Sequence, residues 1–187
     1  RKQSCFWGEL SHFSKKSSLN NEILIHIGAS KEYRKWPIEE VRRLVLDLLE
    51  KFPKYKIVLC GASEDKKRAS RLTELKGVDD LVGKTTLSEL EERIKNSRVV
   101  ICNETSVSHM AHFHGTPCVT ILGGGHFSRF LPYPKESQSS VRTAIYSMSC
   151  FGCNWNCLYQ GQETKDAFPC ISNIESHDVF EKVTQCL

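Results

Sequence analysis

Short apolar runs closed by small residues alternate with longer amphipathic stretches along most of this chain. Ile23-Leu24-Ile25-His26-Ile27 is nearly continuous in apolar side chains and stops at Gly28-Ala29-Ser30, the pattern of a strand buried on both faces. Pro37, Glu39 and Glu40 then mark a helix start, and Ile38, Val41, Leu44, Val45, Leu48 and Leu49 recur at helical spacing up to Phe52-Pro53. The unit repeats. Lys56–Cys60 predicts a strand closed by Gly61, residues 64–75 a helix, and Asp80-Leu81-Val82 a short strand. Thr86 and Glu89 have the spacing of a capping box and open a helix through Ile94. Val99–Cys102 and Cys118–Leu122 predict two further strands, with a helix over 106–114 between them, stopped by Gly115 and Pro117. Ala144-Ile145-Tyr146 reads as a last strand and residues 176–186 as a terminal helix.

Strands and helices alternating every twenty to thirty residues imply parallel crossovers, hence an α/β, Rossmann-like three-layer domain with a parallel sheet. The expected organisation is a polar linker or inter-domain segment over 1–21, the Rossmann-like domain over 22–148, and a Cys-rich loop with a C-terminal helix over 149–187 packed on the same domain. Ligands in such sheets bind at the carboxyl ends of the strands. Gly28-Ala29-Ser30, Gly61-Ala62-Ser63, Asn103-Glu104-Thr105-Ser106 and Gly123-Gly124-Gly125 should therefore share one rim.

Composition narrows the function classes. The 26 Lys and Arg against 22 Asp and Glu leave a net charge of +4, without a basic arm for nucleic acid or a polybasic membrane anchor. No apolar run approaches the roughly 20 residues of a membrane span. The chain opens at Arg1 with no Met and no leader pattern, which suggests part of a longer protein. Nine cysteines, an odd number and several inside apolar runs, point to a reducing compartment, hence a cytoplasmic location.

Four places on the rim carry candidate chemistry. Asn103–His109 joins a strand to a helix. Its hydroxyls at Thr105 and Ser106, and His109 one turn in, would suit a phosphate at the helix N-terminus, although Ser and Thr there more often act as plain caps. Arg34 and Lys35 could hold a diphosphate or sit in a solvated loop. Glu64 could accept from ribose hydroxyls. The Gly123-Gly124-Gly125-His126 run could let backbone approach a ligand closely. Separately, Cys150, Cys153, Cys157 and Cys170 offer four soft ligands for a structural zinc, with an iron–sulfur cluster, disulfides or free thiols as the alternatives. His109, His112 and His114 lack an acid at zincin spacing.

The ordered set Gly28-Ala29-Ser30, Arg34-Lys35-Trp36-Pro37, Gly61-Ala62-Ser63-Glu64, Leu81–Leu87 and Asn103-Glu104-Thr105-Ser106-x2-His109-x-Ala111 resembles glycosyltransferase family 9, which includes the ADP-heptose:lipopolysaccharide heptosyltransferases. The resemblance covers about residues 22–135. It implies the C-terminal, donor-binding domain of a two-domain GT-B enzyme. The nucleotide sugar, ADP-heptose in the first place, would be bound here, and sugar would pass to a lipopolysaccharide core or related glycan. The glycolipid acceptor and the catalytic base would belong to the other domain, and the resemblance also implies peripheral association with the inner membrane. Carried over residue by residue, Ser30 and Arg34 would contact the diphosphate, Glu64 the ribose, Thr85 the border of the base, Thr105, Ser106 and His109 the phosphates, and Glu104 the sugar. The family's usual Lys is Arg34 here, and its Asp-Thr-Gly or Asp-Ser-Gly loop is Glu104-Thr105-Ser106. No Asp-x-Asp motif is present, in line with transfer that requires no cofactor. Two rivals follow from the same residues: a non-catalytic Rossmann-like scaffold whose four-cysteine loop binds metal and docks a partner, and a sugar-nucleotide epimerase of GT-B architecture.

Overall fold

The computed structural model describes residues 20–134, 137, 139–161 and 164–187. The expected linker over 1–21 lies outside the described residues except for its last two. Six strands form one parallel sheet: β1 (Glu22–His26), β2 (Lys56–Cys60), β3 (Val78–Asp80), β4 (Val99–Asn103), β5 (Cys118–Ile121) and β6 (Val141–Ala144). Their spatial order is β3-β2-β1-β4-β5-β6, so the chain starts in the middle, works outward to one edge, and returns to fill the other. Ile25 stands opposite both Leu59 and Ile101, and Ile101 opposite Val119.

Alternation along the strands builds two cores. Ile23, Ile25, Ile57, Leu59, Ile101, Val119 and Ile121 face one side, where α1 (Ile38–Lys51), α2 (Lys66–Thr73) and the C-terminal α6 (Ser176–Thr184) cover them. Leu24, Val58, Cys60, Val100, Cys102 and Cys118 face the other, under α3 (Leu87–Asn96) and α4 (Ser106–Phe113). The apolar stripe of α1 places Leu44, Val45 and Leu48 out of solvent entirely, each contributing about 1.5–3 kcal/mol by burial. α3 begins at the capping box read from the sequence: Glu89 N donates to Thr86 Oγ1 at 3.3 Å, and Thr86 N to Glu89 Oε2 at 2.7 Å.

Three elements differ from expectation. The third strand runs over Val78–Asp80, not residues 80–82, because Asp80 Oδ1 accepts from Val82 N at 3.0 Å and turns the chain there. The last strand is Val141–Ala144, not residues 144–146, since its partner β5 ends opposite Ala144 and leaves Ile145 and Tyr146 exposed. A one-turn helix, α5 (Pro169–Ser172), precedes α6. After residue 149, Trp155, Phe168, Cys170, Ile171 and Ile174 join the core on the α1 side.

Candidate functional site

The strand order reverses between β1 and β4, and a crevice opens beyond their carboxyl ends, as this topology requires. Asn103, the last residue of β4, ties the crevice together. Its Nδ2 donates to the carbonyls of Ile27 and Gly28 at 3.1 and 3.0 Å, and its Oδ1 accepts from Trp36 N at 3.0 Å. Above it lies a cavity of about 590 Å³, within the size range of small-molecule sites.

Seven of the eight residues read as donor-binding line that cavity: Ser30, Arg34, Glu64, Glu104, Thr105, Ser106 and His109. Thr85 is half-buried and not among the lining residues. Thr105 caps α4, accepting from Val107 N at 3.4 Å, so part of its hydroxyl's capacity is spent on the helix. Ser106 and the exposed His109 continue the first turn of α4 along the cavity wall. His109 Nδ1 shares a hydrogen bond with the Tyr133 hydroxyl, and the Tyr133 ring stacks on His112 with centroids 4.0 Å apart. Partial loss of solvation on the cavity wall holds His109 below the ordinary histidine value, which favours the neutral ring at pH 7.

Arg34 and Glu104 form the charged centre. Arg34 Nη2 donates to the Glu104 carbonyl at 2.8 Å and approaches Oε2 at 3.5 Å, while Nη1 reaches Ser30 Oγ at 3.3 Å. Glu104 is 5% exposed, and His126 Nδ1 lies 3.5 Å from its other carboxylate oxygen. Burial raises the Glu104 pKa, against the opposing pull of Arg34. Burial, then Arg34 and Arg129, lower that of His126. A guanidinium at the end of one loop and a helix N-terminus at the next give the cavity positive potential on two sides, suited to an anionic ligand.

Lys35 does not share this role. Its Nζ bonds Asp65 Oδ1 at 2.8 Å and Glu32 Oε1 at 2.6 Å, with only 6% of the side chain exposed. Burial alone would lower its pKa, but the bonds to Asp65 and Glu32 outweigh it and the net direction is up. Asp65 also accepts from Ala62 N at 3.1 Å. A Cβ on Gly28 would stand 2.6 Å from Asp65 Oδ2, so glycine there makes room for the carboxylate.

The glycine run 123–125 serves the fold in a way the sequence did not reveal. A Cβ on Gly125 would lie 2.2 Å from the Trp155 ring, and one on Gly124 would lie 2.3 Å from Phe151. The close approach at this loop is by the tail's aromatic rings. Of the four thiols read as zinc ligands, Cys170 has its pKa raised by burial, against a hydrogen bond from the Gly124 backbone, with Cys153, Cys150 and Cys157 adding smaller upward effects. Yet among the described residues no three His, Cys, Asp or Glu side chains converge as a metal-holding group, and all four cysteines are free thiols. Packing of Phe151 and Trp155 against the glycine loop, not a common ligand point, sets the shape of this segment.

Sequence reading passed over His26, Asp65 and Phe130 as cavity-lining residues, and took His126 only as the end of a glycine run. His26 ends β1 at the cavity floor with its Nδ1 buried and, among the described residues, without a hydrogen-bond partner. A histidine closing a buried strand on the ligand rim was the available signal for it.

The family model for glycosyltransferase family 9 (heptosyltransferase) matches residues 7–158. The chain belongs to glycosyltransferase family 9. A relative, lipopolysaccharide heptosyltransferase 1 from Campylobacter coli, is 28% identical over 168 residues, covering 87% of this chain and 46% of its own length. Among solved structures, E. coli ADP-heptose lipopolysaccharide heptosyltransferase II superposes with a TM-score of 0.69 at 18% identity, over 91% of this chain and 47% of that one. The E. coli heptosyltransferase WaaC, solved with ADP-2-deoxy-2-fluoro heptose, gives 0.63 at 19% identity over 93% and 46%. These likenesses show that the sheet and its helices form the α/β, Rossmann-like half of a GT-B glycosyltransferase fold. This family 9 chain spans about half the length of the relatives it matches. Among its described residues no helix is long and apolar enough to cross a membrane.

Proposed function

We propose that this family 9 chain is the donor-binding half of a glycosyltransferase, holding a nucleotide sugar, ADP-heptose in the first place, for transfer to a lipopolysaccharide core or related glycan. The observation that carries the reading is the cavity at the β1/β4 crossover, where Arg34, Ser30 and the start of α4 converge. The names of the relatives support the sugar and the nucleotide. In an inverting transfer an acceptor oxygen bonds to the anomeric carbon while the bond from that carbon to the diphosphate oxygen breaks. The nucleoside diphosphate leaves with the electron pair. Arg34 and the N-terminal turn of α4 would take up that developing charge, an electrostatic role that lowers the barrier without movement at the moment of reaction. Glu104, held between Arg34 and His126, would face the sugar, and Glu64 the ribose. The acceptor, the base that activates it and any membrane contact are assigned to the half of the relatives that this chain does not match.

Calorimetric titration with ADP, UDP and GDP tests the reading. Saturable binding with ADP preferred supports it. Preference for another nucleotide keeps the transferase and rejects ADP-heptose. A folded chain that binds none of the three shifts the weight to the scaffold reading. Structural zinc on Cys150, Cys153, Cys157 and Cys170 is a separate proposal, resting on the clustered spacing of these cysteines in the sequence, and the loop would have to tighten to bring them to one point. One equivalent of zinc in the purified chain supports it, and a folded, metal-free chain ends it.

A further inference from the structure

We infer that Trp155, from the Cys-rich segment, is a positioning residue for Arg34, and that this segment is therefore a wall of the donor site. The inference rests on the donor reading of Arg34 given above. The Arg34 guanidinium carbon stands 4.8 Å from the centre of the Trp155 ring. Arg34 has hydrogen-bond partners at its two terminal nitrogens, but its Nε is buried and has none among the described residues. The indole thus covers a cation that hydrogen bonds restrain only at its tip. A cation over an aromatic ring, shielded from water, gains more than the same pair in solvent, and Trp is the best such ring.

The segment is built to hold that indole in place. Gly152 N donates to Gly124 O at 2.8 Å and Asn154 N to Gly125 O at 2.9 Å, clipping the loop to the glycine run. Asn154 and Trp155 have φ of 51° and 64°, a left-handed pair that bulky L residues rarely adopt. Such backbone persists where the surroundings over-determine it, and it clusters at functional sites. The ring is 6% exposed, packed edge-on to His126 at 5.4 Å and near Tyr33 at 5.9 Å. The tail also grips Tyr33, next to Arg34, from a second direction: Phe168 N donates to Tyr33 O at 3.0 Å and the two rings stack at 4.3 Å. Arg34 is therefore held between Glu104 and Ser30 on one side and the tail on the other.

The test is a double-mutant cycle on this chain, with ADP affinity read by calorimetry and folding by thermal melting. Trp155→Leu should weaken ADP about fivefold, and Trp155→Phe, which keeps a ring, about twofold or less. In an Arg34→Ala background, Trp155→Leu should change ADP affinity no further, because the residue it positions is gone. A Trp155→Leu chain that binds ADP like the original overturns the proposal. So does a loss of equal size in both backgrounds, the mark of a merely structural role. A second measurement needs no nucleotide: Arg34→Ala should shift indole emission in the original chain and not in a Trp155→Phe chain. If that shift appears but the original chain binds no ADP, the contact is real and the donor reading fails, taking the positioning role with it. If ADP binds and the shift is absent, only the contact fails.

Discussion

Arg34 and Lys35 are neighbours in the sequence with the same charge, and the fold gives them opposite work. Lys35 turns inward to a carboxylate that is 1% exposed, and its charge is consumed in holding the first two strand-end loops together. Arg34 turns toward the cavity, where its partners are a hydroxyl, a carbonyl and a longer contact to Glu104. A ligand oxygen can compete for the second set and not for the first. Charge in the loop is thus insufficient to locate an anion site. What matters is whether the cation's own hydrogen-bond capacity is already met by buried acid.

The largest effect expected from this contrast falls on the Lys35 side. Lys35→Met leaves Asp65 buried without its cation, a loss of about 3–5 kcal/mol. Thermal melting should show a fall of roughly 6–20 °C, while ADP affinity of the folded fraction stays within about twofold. Loss of ADP binding with an unchanged melting temperature would break the comparison.

Arg34→Ala should do the reverse. Charge-assisted hydrogen bonds contribute about 1.5–3 kcal/mol, so ADP affinity should drop roughly 10- to 100-fold, with a smaller fall in melting temperature than Lys35→Met gives, because the contact to the Glu104 carboxylate is the longer one at 3.5 Å. Equal affinity before and after the change would remove Arg34 from the site.

The smallest effect concerns pH. His109 and His126 sit below the ordinary histidine value, so in the free chain both are neutral at pH 7 and gain protons only in acid. A bound diphosphate favours their charged forms and raises both values, so binding takes up protons. ADP affinity should then rise as pH falls toward and below about 6.5. Glu104, whose value burial raises, works in the same direction, since its protonation removes a negative charge from the cavity. The ligand's own phosphate proton opposes this trend, so the comparison is with His109→Asn, whose ADP affinity should rise less, by about twofold over the same range. Identical profiles would show that His109 does not face the bound anion.

Much of the fold and the site was legible because it depends on local rules. The strand runs, the stripe of α1 and the Thr86–Glu89 cap are set by side-chain periodicity and by hydrogen bonds three residues apart. The strand-end loops that line the cavity follow from parallel topology, which sends every strand's carboxyl end to one rim. That reasoning brought Ser30, Arg34, Glu64, Glu104, Thr105, Ser106 and His109 together from three separate loops. The edges were less legible: β3 and β6 lie two or three residues from their expected places, because a turn at Asp80 and the length of β5 decide where pairing stops.

The sequence by itself therefore determined the alternation of strands and helices, the rim, and the ordered motifs that mark the family. Tertiary structure alone decided which of two adjacent cations is spent on a buried acid, since Asp65 lies 30 positions away and nothing local announces it. It also decided that Gly123–Gly125 make room for Phe151 and Trp155 of the tail, and that Trp155 comes to rest over Arg34. Periodicity fixes which face of an element is apolar. It carries no information about which distant side chain will fill the space opposite, because that depends on the packing of the whole chain at once.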